Sequence, residues 1–120
     1  MLLGLQYFTY AVSMDCTNMI ILANGMNLAA VQPSIMTLLT TNCCTATGVT
    51  CTGQNVTAIS WRGYRMNGYL NFTAVPSGVS NLNLDGNWLT GTLPQLPEIM
   101  TIFSAGDNRL SGTLPSTWPV

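Results

Sequence analysis

Histidine and lysine are missing from this chain altogether, and both gaps narrow its chemistry. Without histidine the commonest general base is absent, and without lysine no Schiff base can form. Charge of either sign is scarce, with three arginines and four acids giving a formal net charge of −1. A nucleic-acid binder needs a basic face to neutralise phosphates, so that class of partner is excluded. Long apolar runs are lacking as well. A membrane-crossing helix needs about 18 apolar residues in succession, and the longest candidate, Met19 to Leu28, is interrupted by Asn24, Gly25 and Asn27. The chain as given carries no membrane span.

The residues that are present make one domain. At 120 residues and 48% hydrophobic, the chain has ample material for a single core. Its four cysteines, Cys16, Cys43, Cys44 and Cys51, all lie in the first half. Zinc sites pair thiolates a few residues apart, a spacing the adjacent Cys43 and Cys44 do not supply. Adjacent cysteines also bridge each other only under severe strain. Two pairings remain open, Cys16–Cys43 with Cys44–Cys51 and Cys16–Cys44 with Cys43–Cys51. Either needs an oxidising compartment. Two glycosylation sequons, at Asn55 (Asn-Val-Thr) and Asn71 (Asn-Phe-Thr), fit the same secretory reading.

Residues 1–13 read as a signal peptide, apolar and ending Ala-Val-Ser, shortened at its start and without a positive n-region. The residues from Asp15 to Ala30 predict a helix with an apolar stripe at Met19, Ile20, Leu22, Met26, Ala29 and Ala30, Asp15 as its N-cap, and a weak middle at Asn24-Gly25. A second helix is expected to start at Pro33, a residue suited to a first helical position, and to bury Ile35, Leu38 and Leu39. Thr40 to Gly48 predicts a loop held by the cysteines. Closing the chain from Cys16 to about Cys43 is expected to contribute on the order of 2–4 kcal/mol. Val56 to Trp61 then alternates as a strand.

The second half repeats itself. Val79-Ser-Asn-Leu-Asn-Leu-Asp-Gly-Asn-Trp-Leu-Thr-Gly-Thr-Leu-Pro94 returns in register at Met100 to Pro115, and a degenerate copy runs from Ile59 to Leu70 with Tyr64 in place of the asparagine. The asparagine positions, 64, 87 and 108, recur 23 and 21 residues apart. A fixed period of that size is the mark of a solenoid. The expected inward columns are Ile59/Leu82/Phe103, Trp61/Leu84/Ala105 and Met66/Leu89/Leu110, stacked about 4.8 Å apart as parallel strands. Asn87 and Asn108 are expected to satisfy buried backbone groups. Gly68, Gly91 and Gly112 are expected at turns of positive φ, with Pro94 and Pro115 on an extended back.

Outward columns carry the candidate binding residues: Ala58/Asn81/Ile102, Ser60/Asn83/Ser104 and Arg62/Asp85/Gly106. Arg62 and Asp85 are expected to pair, for under about 1 kcal/mol. Beside them, Trp88 is expected to stack between Arg65 and Arg109 as a cation–π rim. No catalytic set emerges. Asp85 and Asp107 fall on neighbouring turns, but nothing around them predicts the raised pKa that a general acid needs. The chain reads as a non-enzyme with no cofactor and no metal.

The repeat resembles the plant-type leucine-rich repeat, L-x-x-L-x-L-x-x-N-x-L-x-G-x-(I/L)-P. Val79 to Pro94 matches every fixed position, with Val79 for the first leucine, and the copy from Met100 matches less fully. The region before it is similar to that family's N-terminal cap, with an acid and cysteine, two helices, Cys43-Cys44 and Gly48-Val-Thr-Cys51. Departures are Tyr64 for asparagine, no tryptophan before Gly48, and two extra residues around Thr73 to Ser77.

The resemblance implies an α/β solenoid: a right-handed coil with a parallel sheet on its concave face. A helical, disulfide-bonded cap would span residues 14–55, and repeats would span about 56–78, 79–99 and 100–120. The C-terminal end would be uncapped and the repeats incomplete at Val120. In such caps the cysteines pair in order, which implies Cys16–Cys43 and Cys44–Cys51. The implied function is extracellular recognition of a protein, peptide or glycan through Ser60, Arg62, Arg65, Asn81, Asn83, Asp85, Trp88, Ser104 and Arg109. The implied location is secreted, or on the outer face of the plasma membrane or cell wall. A structural wall or matrix role and inhibition of a secreted hydrolase, such as a polygalacturonase, are the alternatives.

Overall fold

Apolar residues at three- and four-residue steps determine how the N-terminal part folds. The computed structural model describes residues 14–92 and 95–111. Helix α1 (Met14–Gly25) buries Cys16, Met19, Leu22 and Ala23 on one side. It stops well short of Ala30 because Asn27 turns left-handed, at φ 64° and ψ 37°. Asparagine tolerates that region better than most residues. A single turn, α2 (Leu28–Val31), buries Leu28. Helix α3 (Pro33–Asn42) then starts on its proline and buries Ile35 and Leu39.

Asp15 is not an N-cap. It lies in the first turn of α1, and its Oδ2 accepts the Val56 N–H at 2.8 Å, tying the helix to the sheet. The expected loop from Thr40 is instead helical through α3 and a 3₁₀ turn, Cys43–Thr45, whose Cys44 N–H donates to Asn42 Oδ1. The disulfides are Cys16–Cys43 and Cys44–Cys51, with Cα–Cα distances of 5.3 and 5.6 Å. The first joins α1 to the start of the 3₁₀ turn, just past α3. The second joins the 3₁₀ turn to the sheet.

Six strands follow among the described residues: β1 (Val49–Thr52), β2 (Asn55–Ser60), β3 (Asn81–Asn83), β4 (Thr90–Thr92), β5 (Ile102–Ser104) and β6 (Arg109–Ser111). The main sheet has the order β1-β2-β3-β5, and β4 pairs with β6 in a second, two-stranded sheet. β1 and β2 form an antiparallel hairpin in which Thr50 faces Ala58 but Cys51 faces Val56. The extra residue, Thr57, is a bulge, and it changes the inward phase of the strand. Val56 and Ile59 are therefore both buried, although strict alternation would place them on opposite faces. β2, β3 and β5 are parallel, with Ile59, Leu82 and Phe103 in one register.

This architecture overturns the expected solenoid. The described residues form a small compact domain with a mixed four-stranded sheet and three helices. A solenoid stacks like units that each touch only their neighbours. Here the sheet begins with an antiparallel hairpin, and one continuous core joins Met19, Leu22 and Met26 of the helical layer to Ile59, Trp61, Met66, Leu82, Leu84 and Leu89. The 23- and 21-residue periods survive as local strand register, carried by strands of only three residues. The signal-peptide reading of residues 1–13, the path at Leu93 and Pro94, and the expectations for Gly112, Pro115 and the uncapped end lie outside the described residues.

Two glycines of the repeat have different physical reasons. Gly91 has φ 127° and meets the expectation. Gly68 does not have positive φ, and its constraint is close packing of two backbones. Its N–H donates to Met26 O at 3.3 Å, the Tyr69 N–H donates to Gly25 O at 2.8 Å, and a Cβ at Gly68 would lie 2.1 Å from Gly25 O. Gly68→Ala is expected to push the helical layer off the strands and to cost about 1–3 kcal/mol, the range for overpacking. Urea unfolding of the variant against the parent checks this. Gly53→Ala serves as a comparison, since its site is open and only its φ of 63° opposes a side chain.

Candidate functional site

The outward face of the main sheet is held in place from inside by two asparagines. Asn87 is completely buried. Its Oδ1 accepts the Tyr64 and Met66 N–H groups at 3.0 and 3.1 Å. Its Nδ2 donates to Trp61 O and Leu84 O, both at 2.9 Å. Asn108 repeats the arrangement, with Oδ1 accepting Leu89 N–H at 2.9 Å and Nδ2 donating to Leu84 O and Ala105 O at 2.9 and 3.1 Å. These are turn groups that have no strand partner, and leaving them unpaired in a core is expensive. No buried side-chain N or O among the described residues lacks a partner. Both asparagines are thus structural.

On the other side of the same backbone the parallel register sets side chains into rows. Asn81 lies between Ala58 and Ile102, and Asn83 between Ser60 and Ser104. The hairpin extends the first row, because Thr50 faces Ala58 from β1 and is exposed. Sequence periodicity missed Thr50, which precedes the repeats and enters the row only through antiparallel pairing. Ile102 is half exposed, at 52%, giving the face an apolar spot at its β5 edge.

Past the strand ends the expected contacts change. Arg62 and Asp85 do not pair. Asp85 turns toward β5, accepting from Ser104 Oγ at 2.7 Å and from Gly106 N–H at 2.6 Å. Its own N–H donates to Asn83 Oδ1 at 3.1 Å, so Asn83, Asp85 and Ser104 form one polar cluster. Its cause is local. A backbone donor and a hydroxyl are fixed within reach of the carboxylate, whereas a guanidinium on an exposed side chain must give up rotamer freedom to pair.

The three-residue rim is not a stack either. Among the described residues no cation lies over an aromatic ring, and the aromatic contact present is Phe72 edge-on to Phe103, with centroids 6.1 Å apart. Arg109 sits in β6 opposite Thr90, not opposite Trp88. Arg65 takes φ 60° after Tyr64, which re-aims its side chain. Trp88 remains 49% exposed, and so does Tyr69, at 53%. Tyr69 packs its ring edge toward Gly91 and bridges to Thr90, an exposed aromatic that the repeat pattern did not signal because it occupies a position the pattern leaves variable. The sequon residues lie elsewhere, with Asn55 exposed at the start of β2 and Asn71 half-buried before a 3₁₀ turn, Phe72–Ala74.

The arrangement offers amides, hydroxyls, one carboxylate, separate arginines and two exposed aromatics. Among the described residues no group of three or more histidine, cysteine or acidic side chains could hold a metal. All four cysteines are in disulfides. Among the described residues, too, no helix is long and apolar enough to cross a membrane. No protein-family model matches the chain, and no curated protein matches it.

Asn87→Leu preserves bulk but leaves the Tyr64 and Met66 N–H groups buried and unpaired. At about 1–3 kcal/mol per orphaned group, the two N–H groups predict a loss of about 2–6 kcal/mol. Chemical denaturation with intact disulfides measures it, and Asn108→Leu, at the half-buried neighbour, is expected to cost less.

Proposed function

We propose that this protein is an extracellular recognition module that binds a protein, peptide or glycan partner through the outward face of its main sheet. One observation carries the reading. Parallel strands ordinarily have both faces covered, yet the outward rows on β2, β3 and β5 are half-buried or exposed and carry Asn81, Asn83, Ser60 and Ser104. Aromatic residues are the commonest anchors of such interfaces, and Trp88 is exposed in the segment that follows β3, with Ile102 exposed on the edge strand.

The scarcity of charge tells what kind of partner fits. With three arginines and four acids in the whole chain, recognition rests on neutral hydrogen bonding and apolar contact. Such binding is only weakly screened by salt, because screening acts on exposed charges. Two disulfides in so small a domain are consistent with an extracellular location, which is where a partner would be met.

The test uses the purified, disulfide-bonded protein against arrays of extracellular glycans and secreted proteins. Trp88→Ala is expected to weaken the captured interaction at least tenfold. The parent's affinity is expected to change little as salt rises. A folded Trp88→Ala variant with unchanged affinity, or an interaction that salt abolishes, would sink this reading.

A further inference from the structure

An open groove beside the hairpin plays no part in the face described above. It holds about 430 Å³ and is lined by Asp15, Thr52, Asn55, Thr57, Ser77 and Gly78. That volume falls within the usual range of small-ligand sites, about 300–1,000 Å³. Its walls are fixed by contacts already made. Asp15 is anchored on Val56 N–H at 2.8 Å, and Thr57 Oγ1 donates to Thr50 O at 3.3 Å. Thr52 and Asn55 face each other at the turn end of the hairpin. Asn55 is exposed, and its carboxamide makes no hydrogen bond to the described residues.

Asn55-Val56-Thr57 is also an acceptor sequence for N-linked glycosylation, an asparagine two residues before a threonine with no proline between. The second such sequence differs in setting. Asn71 is half-buried, and its Oδ1 accepts from Thr73 Oγ1 at 2.5 Å. We propose that Asn55 is N-glycosylated and that the first sugar of the glycan lies in this groove.

The donor is an oligosaccharide carried on a lipid pyrophosphate. A bond forms between Asn55 Nδ2 and C1 of the first sugar while the bond from C1 to the pyrophosphate oxygen breaks. The lipid pyrophosphate leaves with the electron pair, and Nδ2 gives up one proton. An N-acetylated sugar presents hydroxyls and an acetamide. The Asp15 carboxylate and the hydroxyls of Thr52, Thr57 and Ser77 answer those groups, while Gly78 adds no side chain to obstruct the ring. Asn55 begins β2 and Ser60 ends it, about 17 Å apart at some 3.3 Å per residue. This inference does not depend on the outward rows having a partner.

The experiment expresses the full chain behind a cleavable secretion leader in a eukaryotic cell. Peptide mass spectrometry before and after enzymatic deglycosylation in ¹⁸O-water reads which asparagine was modified. Asn55 is expected to be occupied in most molecules, Thr57→Ala to remove that glycan and Thr57→Ser to keep it. Disulfide-bonded protein with Asn55 unmodified overturns the modification, whether it is exported or retained, because the sugar is added before export.

The groove placement has its own readout. Amide hydrogen exchange of the glycosylated and deglycosylated parent is compared, with Asn71→Gln present in both. Slower exchange at Thr52, Ser77 and Gly78 in the glycosylated form is expected. Equal exchange there overturns the placement, even if Asn55 is modified.

Discussion

The buried carboxamide of Asn87 is the interaction on which the C-terminal half depends. A chain that leaves one short strand and turns back into the core must strand backbone donors and acceptors where water cannot reach them. Asn87 meets this with a single side chain whose oxygen takes two N–H groups and whose nitrogen reaches three carbonyls, those of Trp61, Leu84 and Asp85. No apolar side chain has that capacity, and an acid would bring a charge into a medium that penalises it. Asn108 does part of this one period later, in a less buried setting, with its oxygen taking the Leu89 N–H and its nitrogen reaching Leu84 O. With the turns satisfied from within, three-residue strands suffice to keep Ser60, Asn83 and Ser104 abreast.

A second constraint joins this half to the helices. The backbones at Gly25–Met26 and Gly68–Tyr69 approach closely enough to exchange hydrogen bonds, which is possible only because Gly68 carries no side chain. The Asp15 carboxylate fastens the start of α1 to Val56 on the other side of the layer. Two disulfides add covalent closure where the 3₁₀ turn leaves little to bury. Helical layer, hairpin and repeat strands thus share one core, and the outward rows rest on a support built from all three.

The candidate face shows how residues of one type divide by environment. Asparagine is used for structure at 87 and 108, where the side chain is turned in, and for surface at 81 and 83, two strand positions on the opposite face. The same holds for acids. Asp15 and Asp85 both accept backbone N–H groups, one to dock a helix and one to order the loop after β5. Among the described residues the exposed large apolar side chains include Trp88, Tyr69 and Ile102, with Met14, Ile21 and Ile99.

Much of this was legible in residue order. Period-two spacing marked the inward strand positions, and the 23- and 21-residue period aligned Ile59, Leu82 and Phe103. The same spacing separated Asn87 from Asn83, and cysteine adjacency left two pairings. What failed was whatever required knowledge of a partner across space. The solenoid inferred from the period did not account for β1, whose antiparallel pairing with β2 makes the sheet mixed and brings Thr50 into the outward row. The Arg62–Asp85 pair and the Arg65–Trp88–Arg109 stack were drawn from column alignment. A column fixes which Cα atoms are neighbours, but not which of several donors a flexible side chain will choose. By itself the sequence determined local matters: which faces are apolar, where turns must carry an amide, and that charge plays little part. Tertiary structure alone decided the mixed sheet, the contact that forbids a side chain at Gly68 and the groove at Asn55, since each depends on distances between segments far apart in the chain.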